Sequence, residues 1–223
     1  MPSPKQIVKF FAIMVLLFAG LMWPSRWWQD AYAGGFRAGG NLVFARFWFW
    51  SEGHVKFLDP NGIVPGDLPP WAGKKVPDSV GVKDTVMVLE NRGARAAMGF
   101  LRTSSRYIGY VPTAMMISLV LATPVAWRKR FRALGWSLLV VHLFVILRVS
   151  LTLAYGYCGE KDYALFHPGP FWLKMLGYSE TVLQEDPTVS FVVPVFVWFV
   201  FLFRPSQWNA QPVVSKSGIS NPG

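Results

Sequence analysis

Residues 133–157 read ALGWSLLVVHLFVILRVSLTLAYGY, and the one permanent charge in this apolar run is Arg148. The run exceeds the ~20 residues that a helix needs to cross a bilayer. A guanidinium stays protonated in a protein, and its cost near a bilayer centre is put anywhere from roughly 2.5 to more than 10 kcal/mol. An arginine in this setting is expected to face other helices, in a functional site or an internal ion pair. At about 1.5 Å per residue it lies roughly 14 Å below Tyr157, close enough to the outer end for its side chain to reach upward.

The rest of the chain agrees with a membrane setting. Of 223 residues, 52% are hydrophobic and only 15% charged, a balance too apolar for an ordinary soluble domain. Residues 7–23, 110–127, 133–157 and 189–203 are the candidate spans, the last short enough to require local thinning of the bilayer. Arg128, Lys129, Arg130 and Arg132, in the tight connection between the second and third spans, place that connection in the cytoplasm. Lys5, Lys9 and Arg204 fall on the same side. The expected fold is a membrane all-α four-helix bundle with a small external β-containing appendage. The expected location is multi-pass in the cell inner membrane, with both termini cytoplasmic.

Four regions follow: an anchor over 1–24, an external appendage over 25–108, a three-helix core over 109–204 with an external loop at 158–186, and a disordered cytoplasmic tail over 205–223. Lys5 and Lys9, the apolar run after them and Ala31-Tyr32-Ala33 imitate a cleaved signal. Arg26, Trp27, Trp28 and Asp30 separate run from site, so an uncleaved anchor is expected. Gly34, Gly35, Gly39 and Gly40 argue against a helix there, and residues 41–50 read as strand or interfacial helix. Residues 59–77 form a Pro- and Gly-rich loop, 84–89 a strand, and 92–102 an Ala-containing helix leading into the membrane. Two to four short strands are expected outside. Residues 164–178, with Phe166, Phe171 and Trp172, read as a segment lying on the bilayer surface.

The net charge of +10 does not mark a nucleic-acid binder, because the cations are scattered over both sides of the membrane rather than gathered in one stripe. Membrane lipids, anionic headgroups above all, are the expected partner of the cytoplasmic cluster. Cys158 is the single cysteine, so no internal disulfide braces the external part. His54, His142 and His167 lie at different depths, no phosphate-cradling glycine loop is present, and no metal or cofactor is expected.

Ser104, Ser105, Arg148 and His167 all fall near the outer surface. Residues 102–107, reading RTSSRY, form the entrance to the second span. That helix ends in LATPVAWRKR at residues 121–130, the third carries ILRV at 146–149, and His167 follows. On these segments the chain resembles the exosortase and archaeosortase family of membrane transpeptidases, over residues 86–203. The resemblance implies recognition, and in active members processing, of C-terminal sorting tails on exported proteins. It assigns nucleophile to the entrance, where the family has Cys and this chain has Ser104 and Ser105. It assigns the oxyanion or substrate carboxylate to Arg148 and proton transfer to His167. A serine hydroxyl needs a well-placed base to attack, unlike a thiolate.

Structural readings of the same residues stand beside these. Arg148 pairs with Glu160, Asp162, Glu185 or Asp186; the serines cap a helix; His167, before Pro168-Gly169-Pro170, belongs to a turn. His142 bonds a neighbouring helix. The functional alternative is a non-enzymatic structural or assembly subunit of a larger membrane complex, with companion membrane subunits in place of substrate tails as its partners.

Overall fold

The computed structural model describes residues 4–23, 26–45, 52–60, 84–93, 97–159, 162–185 and 188–202. Six α-helices and three strands make up this part: α1 (Pro4–Met22), α2 (Arg26–Phe44), β1 (Gly53–Leu58), β2 (Thr85–Asn91), β3 (Ala97–Thr103), α3 (Val111–Ala122), α4 (Trp127–Gly156), α5 (Pro170–Glu180) and α6 (Val189–Leu202). A π-helical turn, Arg106–Tyr110, leads into α3, and a second, Thr181–Glu185, follows α5. Helices α1 and α4 are each long and apolar enough to cross a membrane; α6, and α3 with its π turn, are apolar but shorter.

Helix α3 packs against α1, α4 and α6, and α4 also packs against α6. Two sets of contacts fix which helix ends meet. At one end the Tyr110 hydroxyl donates to the Leu21 carbonyl of α1, and Arg148 of α4 bonds Ser190 of α6 at 3.0 Å. At the other end Phe10 of α1 stacks on Trp198 of α6 with ring centroids 5.3 Å apart. There Trp198 Nε1 donates to Thr123 Oγ1 at 2.7 Å, just past α3. In chain order α1, α3, α4 and α6 therefore alternate in direction, while the packed pair α3 and α6 run parallel.

The strands form an antiparallel sheet in the order β1-β2-β3. Central β2 is buried from Thr85 to Glu90, hence on both of its faces. Val55, Phe57, Met87 and Leu89 share a core with Val145, Val149, Leu153 and Tyr157, so the sheet rests on the last three turns of α4. The Tyr157 hydroxyl donates to the carbonyls of His54 at 2.7 Å and Glu90 at 3.3 Å, and those two residues pair across β1 and β2.

Two expectations are corrected here. The glycine-rich stretch is helical: it lies inside α2, and a Cβ on Gly40 would stand 2.7 Å from the Phe57 ring. Glycine lets α2 approach β1 closely, and that burial outweighs the ~1 kcal/mol per residue lost in helix propensity. Residues 97–103 form β3 rather than a helix. Pairing with β2 in register from Thr85↔Thr103 to Asn91↔Ala97 overrides the local preference of Ala97 and Met98. The strand at 84–89 and the number of strands agree with expectation. Residues 41–44 close α2. The loop beyond residue 60, residues 46–50 and the tail beyond residue 202 lie outside the described residues.

Candidate functional site

The entrance to α3 is built by a carboxylate. Asp84, just before β2, accepts the Ser105 backbone N–H on Oδ1 and the Ser105 hydroxyl on Oδ2, both at 2.8 Å. The free N–H groups that open a helix need such acceptors. The Thr85 hydroxyl donates to Asp84 Oδ1 at 3.1 Å. Arg37 of α2 donates to the Asp84 carbonyl at 2.9 Å and pairs with Asp59 at 3.0 Å. Ser105 holds the N-cap position of the π turn but makes no side-chain cap hydrogen bond, which corrects its reading as a cap: its hydroxyl donates to a distant carboxylate, and that carboxylate takes the free N–H. Ser105 is 1% exposed.

Ser104 is buried, its carbonyl accepts the Ile108 N–H at 3.1 Å, and its hydroxyl has no hydrogen-bond partner among the described residues.

Arg148 is also 1% exposed. Its Nη1 donates to Ser190 Oγ at 3.0 Å, and Ser190 Oγ donates to the Tyr107 carbonyl at 2.7 Å. One relay therefore ties α4 to the first turn of α6 and to the π turn, two residues past Ser105. The guanidinium also sits 5.8 Å from the centroid of the Phe144 ring. The acids proposed for Arg148 divide. Asp162 is exposed and makes no ion pair among the described residues. Glu160 and Asp186, and the Glu185 side chain, lie outside them.

The structure thus brings Arg148, Ser104 and Ser105 to the same end of the helical bundle. His167 stands apart: it is exposed in the stretch between the Cys158↔Phe166 bridge and α5 and hydrogen-bonds none of them. His142 bonds its own helix, Nδ1 to the Leu138 carbonyl at 2.8 Å, which corrects the expected bond to a neighbouring helix. It also lines an apolar cavity of about 370 Å³ between α2, Phe57 and α4. None of Ser104, Ser105, Arg148 and His167 lines that cavity. Among the described residues, no group of three or more His, Cys, Asp or Glu side chains converges.

Sequence reasoning missed Asp84 and Ser190. Ser190 had a signal, a lone hydroxyl among apolar residues at the start of α6. Asp84 had none, since its partner lies 21 residues away. No family model matches the chain, and no curated protein or solved structure is significantly similar to it.

Proposed function

We propose that this protein is a non-enzymatic membrane subunit: four helices crossing the inner membrane, both termini cytoplasmic, with the sheet and α5 outside to hold a companion membrane protein. One observation carries the reading. Arg148 and Ser105, the residues that chemistry most needs, are sealed from solvent, with Arg148 Nη1 and the Ser105 hydroxyl each bonded within the chain. Catalysis requires a nucleophile within reach of a base and a cation free to meet a developing oxyanion. A sealed guanidinium that ties three segments together does the work of a tie-bar. Exposed apolar side chains along α1, α4 and α6, among them Leu16, Leu143 and Phe196, support the four spans, since so large an apolar surface belongs in lipid or against another membrane protein. The basic start of α4 supports the orientation.

The test is a set of single variants in native membranes. Arg148→Ala is expected to lose the protein, or its companion on purification. Ser105→Ala and His167→Ala are expected to keep both. If His167→Ala or Ser105→Ala accumulates normally, keeps its companion and yet stops the trimming of an exported protein's tail, the non-enzymatic reading is wrong.

A second reading, exosortase-like recognition and processing of sorting tails, is favoured by one feature. The Ser104 hydroxyl is buried and unpartnered beside the turn that Arg148 anchors. Resting geometry often tightens only once substrate is bound. Ser104→Ala in the same assay decides it: an intact complex with no tail processing points to the enzyme.

A further inference from the structure

Helix α4 has two distinct faces along most of its length, and only in its last turns, under the sheet, does burial spread further around the axis to Val149 and Leu153. At about 100° per residue, the buried residues Ser137, Val141, Val145, Arg148, Thr152 and Gly156 gather on one side. Arg130 points to that side and is used there: it donates to the Thr123 carbonyl at 2.8 Å and stacks 4.4 Å from the centroid of the Trp127 ring. The other three cations of the first two turns are arranged differently. Arg128, Lys129 and Arg132 are all exposed and make no ion pair among the described residues. By the same rotation they share an arc of about 100° on the opposite side. Directly above them on that arc, Trp136, Leu139, Leu143 and Leu147 are also exposed.

One face of α4 therefore presents three unpaired cations at its foot and an unbroken apolar ridge above them. We infer that this face binds an anionic phospholipid of the cytoplasmic leaflet, its phosphodiester held by Arg128, Lys129 and Arg132 and its acyl chain laid along Trp136 to Leu147. Charge complementarity selects the headgroup. The continuous ridge selects a lipid over a soluble anion, which has nothing to place against exposed tryptophan and leucine. An indole just inside the headgroup layer suits Trp136. Helix propensity alone explains neither the separation of Arg130 from its three neighbours nor the alignment of those three with the ridge.

The inference rests on the membrane-spanning reading, and the experiment separates the two. The full chain is reconstituted into phosphatidylcholine nanodiscs containing a minority of phosphatidylglycerol, and the lipid retained on release is identified by native mass spectrometry. A chain that does not enter the discs overturns the membrane reading itself. A chain that enters is expected to retain phosphatidylglycerol over phosphatidylcholine. The variant R128Q/K129Q/R132Q is expected to lose that preference by roughly a hundredfold, from about 1 kcal/mol for each cation near an anionic surface. Lys5→Gln with Lys9→Gln, which removes charge from the same side away from the ridge, is expected to keep it. Trp136→Ala, which leaves every cation in place, is expected to weaken retention of both lipids. Three results would overturn the proposal: no headgroup preference in the parent chain, an equal loss in the Lys5 and Lys9 variant, or capture of polyglutamate without any lipid preference, which would assign the face to an acidic protein segment.

Discussion

Ser105 and Asp84 show what a polar pair does at the mouth of an apolar helix. Two hydrogen bonds on one carboxylate satisfy groups that would otherwise be buried without partners, at about 1–3 kcal/mol for each orphan left behind. Ser105→Ala breaks one bond and Asp84→Ala breaks both, so their effects should not add. A double-mutant cycle followed by thermal unfolding in detergent is expected to give a coupling of about 1 kcal/mol or more; additive losses would mean that the pair contributes nothing jointly. The Ser190 hydroxyl is a similar hinge point, accepting from Arg148 and donating to Tyr107. Ser190→Ala is expected to cost about 1–3 kcal/mol on the same assay, whereas Ser190→Thr, which keeps the hydroxyl, is expected to cost less. Arg148 announced itself in the sequence because a charge in an apolar run has to be explained. Its partners did not, because hydroxyls on two other elements carry no comparable energetic signature until the helices are packed.

At the scale of elements, backbone spacing and charge pairing decide matters that composition left open. Gly39 and Gly40 are neighbours in α2 with opposite surroundings: a Cβ at Gly39 meets nothing within 4 Å, while one at Gly40 meets the Phe57 ring at 2.7 Å. Gly39→Ala is expected to raise stability by up to ~1 kcal/mol through helix propensity, and Gly40→Ala to lower it by about 1–3 kcal/mol through overpacking. Chemical or thermal denaturation checks both signs. A sequence reading penalises both glycines equally, which is why α2 was not legible. β3 was missed for a related reason, since strand pairing across residues distant in sequence outweighs local preference. The sheet also carries a pH dependence. Burial alone would raise the Glu90 carboxyl, but hydrogen bonds from Lys56 and Arg92, with their charges, win and hold it below its ordinary value of 4.5. A lowered carboxylate stabilises the folded state fully above its unfolded pKa and loses that contribution as pH falls through the folded one. Melting temperature is therefore expected to fall on acidification below about pH 4.5, an ordinary glutamate value, and Glu90→Gln is expected to flatten this limb while lowering the plateau.

At the scale of the whole molecule, the two ends of α4 are the poles of the protein. Its 30 residues span about 45 Å at 1.5 Å per residue, more than the ~30 Å hydrocarbon core requires. The surplus at one end is clothed by the sheet and α2, and the other carries Arg128, Lys129 and Arg132. Hydropathy made the long apolar run legible, but it gave no hint that a sheet would rest on its last turns. The poles allow a direct test of topology in a Cys158→Ser background. Lys129 is exposed at the start of α4, and Gly169 is exposed ahead of α5 with open space where a side chain would go. If four helices alternate across the membrane, Lys129→Cys is expected to react with a membrane-impermeant thiol reagent only after the membrane is opened, and Gly169→Cys in intact cells stripped of their outer layer. Lys5→Cys is expected to behave as Lys129→Cys does, because an even number of spans lies between the two. Labelling of the positions at residues 129 and 169 from the same side would mean that α4 does not cross, and the tie-bar reading of Arg148 would lose its membrane. Opposite labelling of the positions at residues 5 and 129 would instead leave α4 spanning and remove one of the two shorter partners, α1 or α3, from the bilayer.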